Sequence, residues 1–149
     1  MSCSIVTVER QLTAVVKSKV PFAKIPDAQR AARAAVDGAL PSLDAGPSGR
    51  PCTRFVTPAA SALDMEIGTI VARPFPANGE VVPSDLPAGR AAHFLLRGSF
   101  EGLPGAWKTL LDWCAAEKLA LAGVNWEIYS PYENVEPDRL ETALYALLA

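Results

Sequence analysis

The chain has 149 residues with a formal net charge of −2, and half of its residues are apolar while one fifth are charged. This length and apolar content suffice for one folded domain with its own core, and the lack of a lysine and arginine cluster argues against nucleic acid as a partner. The three cysteines are widely spaced and the single histidine has no neighbouring ligand set, so we expect no disulfide framework, no metal site and no cofactor.

The first half of the chain is predicted to contain one helix and three strands. Residues 12–19 are predicted to form a strand that Pro21 ends, because proline cannot continue a ladder. Pro26 stands where the first turn of a helix tolerates proline, and apolar residues then recur at helical spacing. Residues 43–51 are dense in glycine and proline and are predicted to be a loop. Two further strands are predicted, at residues 53–57 and 62–72.

The second half shows the same order of elements. Residues 73–89 are again rich in proline and glycine and are predicted to be a connector. A strand is predicted at residues 91–97, and Pro104 opens a second helix with an apolar stripe. Residues 125–131 have the aromatic and β-branched composition of a strand. Residues 140–149 favour a helix by composition, but we predict a strand there because of the repeat described next.

Three blocks of sequence recur in the second half in the same order. They align Pro104 with Pro26, Pro131 with Pro58 and Ala149 with Ala72. In this alignment Arg54 is the counterpart of Glu127. We therefore predict an α+β fold in which two pseudo-symmetric β-α-β-β repeats form an antiparallel sheet, with helices on one side and a ligand groove between the repeats.

The whole chain is expected to be one domain. Its parts are repeat one at about residues 5–73, a connector at about 74–89 and repeat two at about 90–149. The first residues, which include Glu9 and Arg10, lack the basic and then apolar pattern of a signal peptide, and no window is apolar for the length of a membrane helix. We therefore expect a cytoplasmic protein with reduced thiols at Cys3, Cys52 and Cys114.

The second half carries a pattern that resembles a known family. Its pieces follow one another at compatible spacing: Leu86-Pro87-Ala88-Gly89-Arg90-Ala91-Ala92, Arg97-Gly98-Ser99-Phe100, a helix with Trp107, Leu111 and Trp113, and Glu127-x-Tyr129. Together they resemble the GyrI-like small-molecule-binding domain, which is also the effector-binding domain of some AraC-type and MerR-type bacterial transcription activators. The resemblance covers essentially the whole chain and is strongest over residues 86–132. Leu96 departs from the pattern, since many members have a polar residue or histidine there.

The resemblance implies a groove between the repeats, with Glu127 facing it. Family members often bind lipophilic cations with aromatic rings against the ligand, some free-standing members look like hydrolases of strained or electrophilic toxins, and others inhibit DNA gyrase. We therefore expect an amphipathic, cationic or aromatic ligand that is sensed or sequestered, and neither direct nucleic-acid nor membrane binding. A separate regulator protein or a second copy of the chain is the protein partner to look for.

Six side chains are candidate ligand contacts: Glu127, Tyr129, Trp107, Phe100, Arg54 and Glu66. Glu127 and Tyr129 share one face of their strand because side chains alternate with a period of two. A carboxylate among aromatic faces can capture a cation. Arg54 leaves two alternatives open, since it either pairs with Glu127 and neutralises the site or points to solvent.

Two alternative functions follow from the same residues and the resemblance. In a hydrolase, Glu127 would be the general base toward a water and Tyr129 the acid. No Ser/His/Asp or Cys/His set supports covalent catalysis, so binding without turnover is favoured over an enzyme. A gyrase-inhibitor-like protein-interaction module ranks last because neither the charge nor an obvious motif supports it.

Overall fold

A computed structural model describes residues 2–56, 62–132 and 134–149 of the chain. These residues form two α-helices and eight strands, besides short 3-10 turns. The helices are α1 (Ile25–Ala39) and α2 (Leu103–Ala116), and the strands are β1 (Ser4–Val8), β2 (Gln11–Pro21), β3 (Ser48–Val56), β4 (Ala62–Val71), β5 (Val81–Leu86), β6 (Gly89–Arg97), β7 (Leu121–Tyr129) and β8 (Glu141–Leu148). None of the helices in these ranges is both long and apolar enough to cross a membrane.

The strands form one antiparallel sheet in the order β1-β6-β8-β7-β3-β4-β2-β5. Its centre is the pair β3–β7, where the inner strands of the two repeats meet. The predicted α+β fold of two β-α-β-β repeats is therefore confirmed. The strand predicted from the repeat at the end of the chain is also confirmed, since β8 pairs with both β6 and β7.

Three details differ from the predictions. β3 begins at Ser48, inside the predicted loop, with an irregular register between Ser48 and Pro51. β1 was not expected at all, and β5 lies within the predicted connector. Pro83 interrupts the apolar pattern of β5, but β5 is an edge strand, where proline is tolerated because no partner needs its missing N–H. Thr57 and Pro58, which belonged to a predicted strand and to the aligned repeat, lie outside the described residues.

The two edge strands are exchanged between the repeats. β1 lies at the beginning of repeat one but pairs with β6 of repeat two, and β5 precedes repeat two but pairs with β2 of repeat one. Val8 pairs with Gly89 and Gln11 pairs with Leu86, so both ladders keep one register across the links at residues 9–10 and 87–88. The segments β1–β2 and β5–β6 therefore run side by side as one long ribbon.

This ribbon forces the sheet to curl. In a flat sheet β5 and β6 would be six strand spacings, or about 29 Å, apart. Leu86 and Gly89 are separated only by Pro87 and Ala88, which span at most about 11 Å. The inner face of the curl holds a cluster formed by residues from both ends and the centre of the sheet: Cys52, Leu86, Ala91 and Trp126.

Both helices pack on the other face of the sheet, each over its own repeat. Val36 of α1 lies in a cluster with Met65 and Ile67, whereas Leu110 of α2 lies in a separate cluster with Phe94 and Leu144. The space between these two cores, above β3 and β7, is left open. The fold thus places a groove where the repeats meet.

Gly68 provides a test of how closely β2 and β4 approach. A Cβ at this position would lie 1.8 Å from the carbonyl oxygen of Ala14, so a strand must move to admit it. We expect Gly68→Ala to lower the free energy of unfolding by about 3 kcal/mol in urea titrations. Gly38→Ala is the matched control, because a Cβ there meets nothing within 4 Å and the helix should gain up to about 1 kcal/mol. Equal stabilities of the two variants would contradict this packing.

Candidate functional site

The groove between the helices has a volume of about 760 Å³, and its walls are almost entirely apolar. Both helices contribute residues of their first three turns, and β3 and β7 form the floor. Among the described residues these line it: Phe22, Ile25, Pro26, Gln29, Arg30, Arg33, Phe55, Phe100, Leu103, Pro104, Trp107, Leu111, Asn125, Glu127, Tyr129 and Tyr132.

The strand registers give the correct alignment of the two repeats. In repeat one, Thr13 of β2 pairs with Ile70 of β4, and in repeat two their aligned counterparts Ala91 and Leu147 also pair. The predicted alignment of β4 with β8 therefore holds. In this alignment Met65 of β4 corresponds to Thr142 of β8. Because Phe55 pairs with Met65 and Tyr129 pairs with Thr142, Phe55 is the counterpart of Tyr129. The predicted alignment of β3 with β7 is therefore wrong by one position, and the counterpart of Glu127 is Thr53.

The groove and its floor are built from pseudo-symmetric pairs of residues. They are Phe22 and Phe100, Gln29 and Trp107, Arg33 and Leu111, Thr53 and Glu127, and Phe55 and Tyr129. The first member of each pair comes from repeat one and the second from repeat two. The two halves share positions but not chemistry, because the carboxylate lies in repeat two and the guanidinium of Arg33 in repeat one.

Arg54 lies on the inner face of the sheet and not in the groove. It pairs in register with Trp126, and its Nη1 donates to the carbonyl oxygen of Asp85 at 2.9 Å and to the Asp85 carboxylate at 2.8 Å. Neither predicted alternative describes this position, because Arg54 does not pair with Glu127 and does not point to solvent. A shift of one residue turns a strand side chain to the opposite face, which explains the difference.

Glu66 also lies outside the groove. It stands between Arg54 and Lys17 in the sheet and accepts a hydrogen bond from the Ser84 hydroxyl. Of the six candidate contacts, the structure thus brings four together at the groove: Phe100, Trp107, Glu127 and Tyr129.

Glu127 is a buried carboxylate with two donors. Only 4% of the residue is exposed. The indole Nε1–H of Trp107 donates to Oε2 at 2.6 Å, and the hydroxyl of Tyr129 donates to Oε1 at 2.5 Å. Burial raises the pKa of Glu127, while the hydrogen bonds from Trp107 and Tyr129 and the charge of Arg33 oppose that rise. Each oxygen can accept more than one hydrogen bond, so acceptor capacity remains for a ligand.

The Tyr129 hydroxyl belongs to a chain of hydrogen bonds that ends at Glu127. Its oxygen lies 2.8 Å from Thr53 Oγ1, which accepts N–H bonds from Gln29 at 3.2 Å and from Arg33 at 3.0 Å. Because these bonds use the lone pairs of Thr53, its own proton points to Tyr129 and the Tyr129 proton to Glu127. Burial and then the charge of Glu127 hold the pKa of Tyr129 well above its usual value, so the phenol stays a neutral donor.

Arg33, Gln29 and Thr53 belong to the groove and its floor, although the sequence patterns do not single them out. The guanidinium of Arg33 lies 5.0 Å from the centre of the Tyr129 ring and also donates to the carbonyl oxygen of Gly68 at 3.1 Å. The signal that identifies Thr53 is the repeat itself, once Phe55 is aligned with Tyr129. The predicted alignment of the two helices likewise pairs Gln29 with Trp107.

Aromatic rings form the mouth of the groove. Phe22 and Phe100 are 52% and 40% exposed, which is unusual for side chains of this size. Phe100 meets the rings of Tyr129 and Tyr132 edge-on, with centroid distances of 5.7 and 6.0 Å. Such rings offer faces to an aromatic ligand. In the described ranges no three His, Cys, Asp or Glu side chains converge as a set of metal ligands.

Comparisons with known proteins agree with this architecture. Residues 1–148 match a family model described as the GyrI-like small molecule binding domain. A search of curated protein sequences finds no match. The crystal structure of the EcmrR C-terminal domain superposes with a TM-score of 0.80 at 14% identity, over 99% of this chain and 97% of that one.

Two further solved structures are similar. SAV2435, solved bound to tetraphenylphosphonium, gives a TM-score of 0.72 at 8% identity over 100% of this chain and 94% of that one. A hydrolase from Listeria innocua gives 0.59 at 12% identity, over 99% and 91%. At such identities these similarities show a shared fold.

The raised pKa of Glu127 predicts a pH-dependent stability. The folded protein holds the Glu127 proton more tightly than the unfolded chain, so this residue's contribution to the free energy of unfolding falls as pH rises from about 4.5 toward the folded-state pKa. Glu127→Gln lacks this titration. In urea unfolding between about pH 4 and 8, the stability of the variant relative to wild type should increase with pH. A difference that is constant over this range would contradict the prediction.

Proposed function

The chain belongs to the GyrI-like family of small-molecule-binding domains, and on this basis we propose that it binds an amphipathic, aromatic or cationic small molecule in the groove between its repeats. Binding there would serve sensing or sequestration of the molecule. The observation that carries the proposal is Glu127, a buried carboxylate that retains acceptor capacity at the floor of an apolar groove.

The electrostatics of Glu127 support a ligand with positive charge or hydrogen-bond donors. Removing a carboxylate from water costs free energy unless donors or charges compensate it. Trp107 and Tyr129 supply one donor to each oxygen. A ligand N–H or cation placed over the floor would add a third contact to the same carboxylate.

The size and walls of the groove support an aromatic body on the ligand. A volume of about 760 Å³ lies within the range of pockets that hold drug-sized molecules. Phe22, Phe100 and Trp107 offer ring surfaces around it, and each favourable cation–π contact would contribute roughly 0.5–2 kcal/mol. The complex of SAV2435 with tetraphenylphosphonium makes this lipophilic cation a suitable first probe.

A second candidate function is hydrolysis of an electrophilic small molecule. It is favoured by the contact between Tyr129 and Glu127, in which a phenol oxygen lies 2.5 Å from a carboxylate whose pKa is raised by burial. A carboxyl group tuned in this way can take a proton from water, while a phenol can donate one to a leaving oxygen. Glu127 would be the base and Tyr129 the acid.

Binding is tested by titrating the protein with tetraphenylphosphonium while following tryptophan fluorescence. Glu127→Gln should weaken the affinity at least about tenfold, which corresponds to about 1.4 kcal/mol, because the negative charge at the floor is lost. Glu66→Gln is the matched control, since this carboxylate lies outside the groove, and it should leave the affinity unchanged. An unchanged affinity in Glu127→Gln would remove Glu127 from the binding site.

Turnover is tested by mass spectrometry of a recovered aryl epoxide. Hydrolysis would add one water to the probe, and both Glu127→Gln and Tyr129→Phe would abolish the added mass. Recovery of the intact epoxide after incubation with wild-type protein would argue against the hydrolase and leave binding as the function.

A further inference from the structure

Arg33 is a charged group in the groove without a carboxylate in contact. Its Nη2 donates to Gln29 Oε1 and Thr53 Oγ1 at 3.0 Å each, and to the carbonyl oxygen of Cys52 at 3.5 Å. Its Nη1 donates to the carbonyl oxygen of Gly68. All four acceptors are neutral, and over the described residues no ion pair of Arg33 is found. These bonds hold the guanidinium in place, but they leave its charge to be balanced from further away.

Tyr129 connects Arg33 to the carboxylate that can balance it. The guanidinium lies over the face of the Tyr129 ring, 5.0 Å from its centre, and the hydroxyl of that ring donates to Glu127. Tyr129 thus contacts both the positive group and the carboxylate, and the two charges cancel when Glu127 is ionised. Arg30, the other cation that lines the groove, is exposed and pairs with Asp27.

The pseudo-symmetry shows that this charge balance is particular to one side of the groove. The position of Arg33 in repeat one corresponds to Leu111 in repeat two, and both residues line the groove. A leucine therefore meets the structural needs of this position in one half of the molecule. The guanidinium adds charge at a site that is otherwise apolar.

We propose that Arg33 is a built-in counter-ion for Glu127 and that it makes the groove select uncharged aromatic ligands bearing an N–H or O–H donor over permanent cations. This inference rests on the proposed function and names the ligand class for that same groove. It makes Arg33 a specificity-determining residue.

Two physical effects act against a cationic ligand. A cation that reaches Glu127 must share it with Arg33, and the two positive charges then repel each other in a poorly hydrated site. The guanidinium also lies against the face of Tyr129, so that ring face is not available for a second cation. A neutral N–H or O–H donor uses the remaining lone pairs of Glu127 and adds no net charge.

Two probes of similar shape and different charge test the selection. Tetraphenylphosphonium is a permanent cation, and 4-tritylphenol is a neutral tetra-aryl compound with one hydroxyl donor. The ratio of their dissociation constants, measured by calorimetry or fluorescence, reports charge selection independently of size. Wild-type protein should bind 4-tritylphenol at least about tenfold more tightly than tetraphenylphosphonium.

Charge-removing variants at Arg33 provide the second measurement. Arg33→Gln keeps N–H donors for Thr53 and Gln29, and Arg33→Met keeps the length of the side chain. In either variant the ratio should move toward the cation by at least about tenfold, whereas Arg33→Lys should keep the wild-type ratio. Lys108→Gln is the control, because it removes an exposed positive charge of α2 that pairs with Asp112 outside the groove.

The outcomes separate this inference from the proposed function. A wild-type preference for tetraphenylphosphonium, or an unchanged ratio in folded Arg33→Gln and Arg33→Met, would overturn the role of Arg33 while binding in the groove stands. A wild-type preference for tetraphenylphosphonium overturns the inference even if both variants fail to fold. Failure of both probes to bind wild type and all variants would instead overturn the proposed function.

Discussion

The pairing of β3 with β7 is the interaction on which the groove depends. These strands come from different repeats, and their register sets Thr53 beside Glu127. Because strand side chains alternate, Phe55 and Tyr129 follow on the same face while Cys52 and Trp126 turn to the inner cluster. A single strand pair thus supplies a floor of two polar groups flanked by two rings.

The same helix-to-floor hydrogen bond occurs in both repeats with different chemistry. In repeat one Gln29 donates to the hydroxyl of Thr53, and in repeat two Trp107 donates to the carboxylate of Glu127. A bond to a charged acceptor contributes roughly 1.5–3 kcal/mol, against about 1 kcal/mol for a neutral pair. The stronger bond lies where the burial cost is larger, so each half compensates its own floor residue while the groove as a whole becomes electrically polarised.

Much of this fold follows from sequence, and the differences have physical causes. The repeat identifies β8 despite its helix-favouring composition, and strand periodicity correctly places Glu127 and Tyr129 on one face. The sequence patterns do not predict the edge strands β1 and β5, because short edge strands need few apolar residues and β5 tolerates Pro83.

The polar groove residues of repeat one, Thr53 and Arg33, are not identified from the sequence for a different reason. An alignment that slips by a single residue replaces Thr53 with Arg54, and that slip reverses the face of the sheet. The sequence does not single out Arg33 as a groove residue, because a basic residue on an amphipathic helix is usually exposed to solvent. Its role depends on Tyr129, which lies far along the chain and reaches Arg33 only through the β3–β7 pair.

The exchange of edge strands also constrains the order in which the chain folds. β1 leaves the ribosome long before its partner β6, because Val8 pairs with Gly89 and Ser4 with His93, both in the second repeat. The first repeat likewise waits for β5 before its outer strand β2 is covered. Neither repeat can complete its sheet alone during synthesis, so exposed strand edges persist until most of the chain has emerged. Contacts of such long range favour slow, concerted folding over independent folding of the two halves.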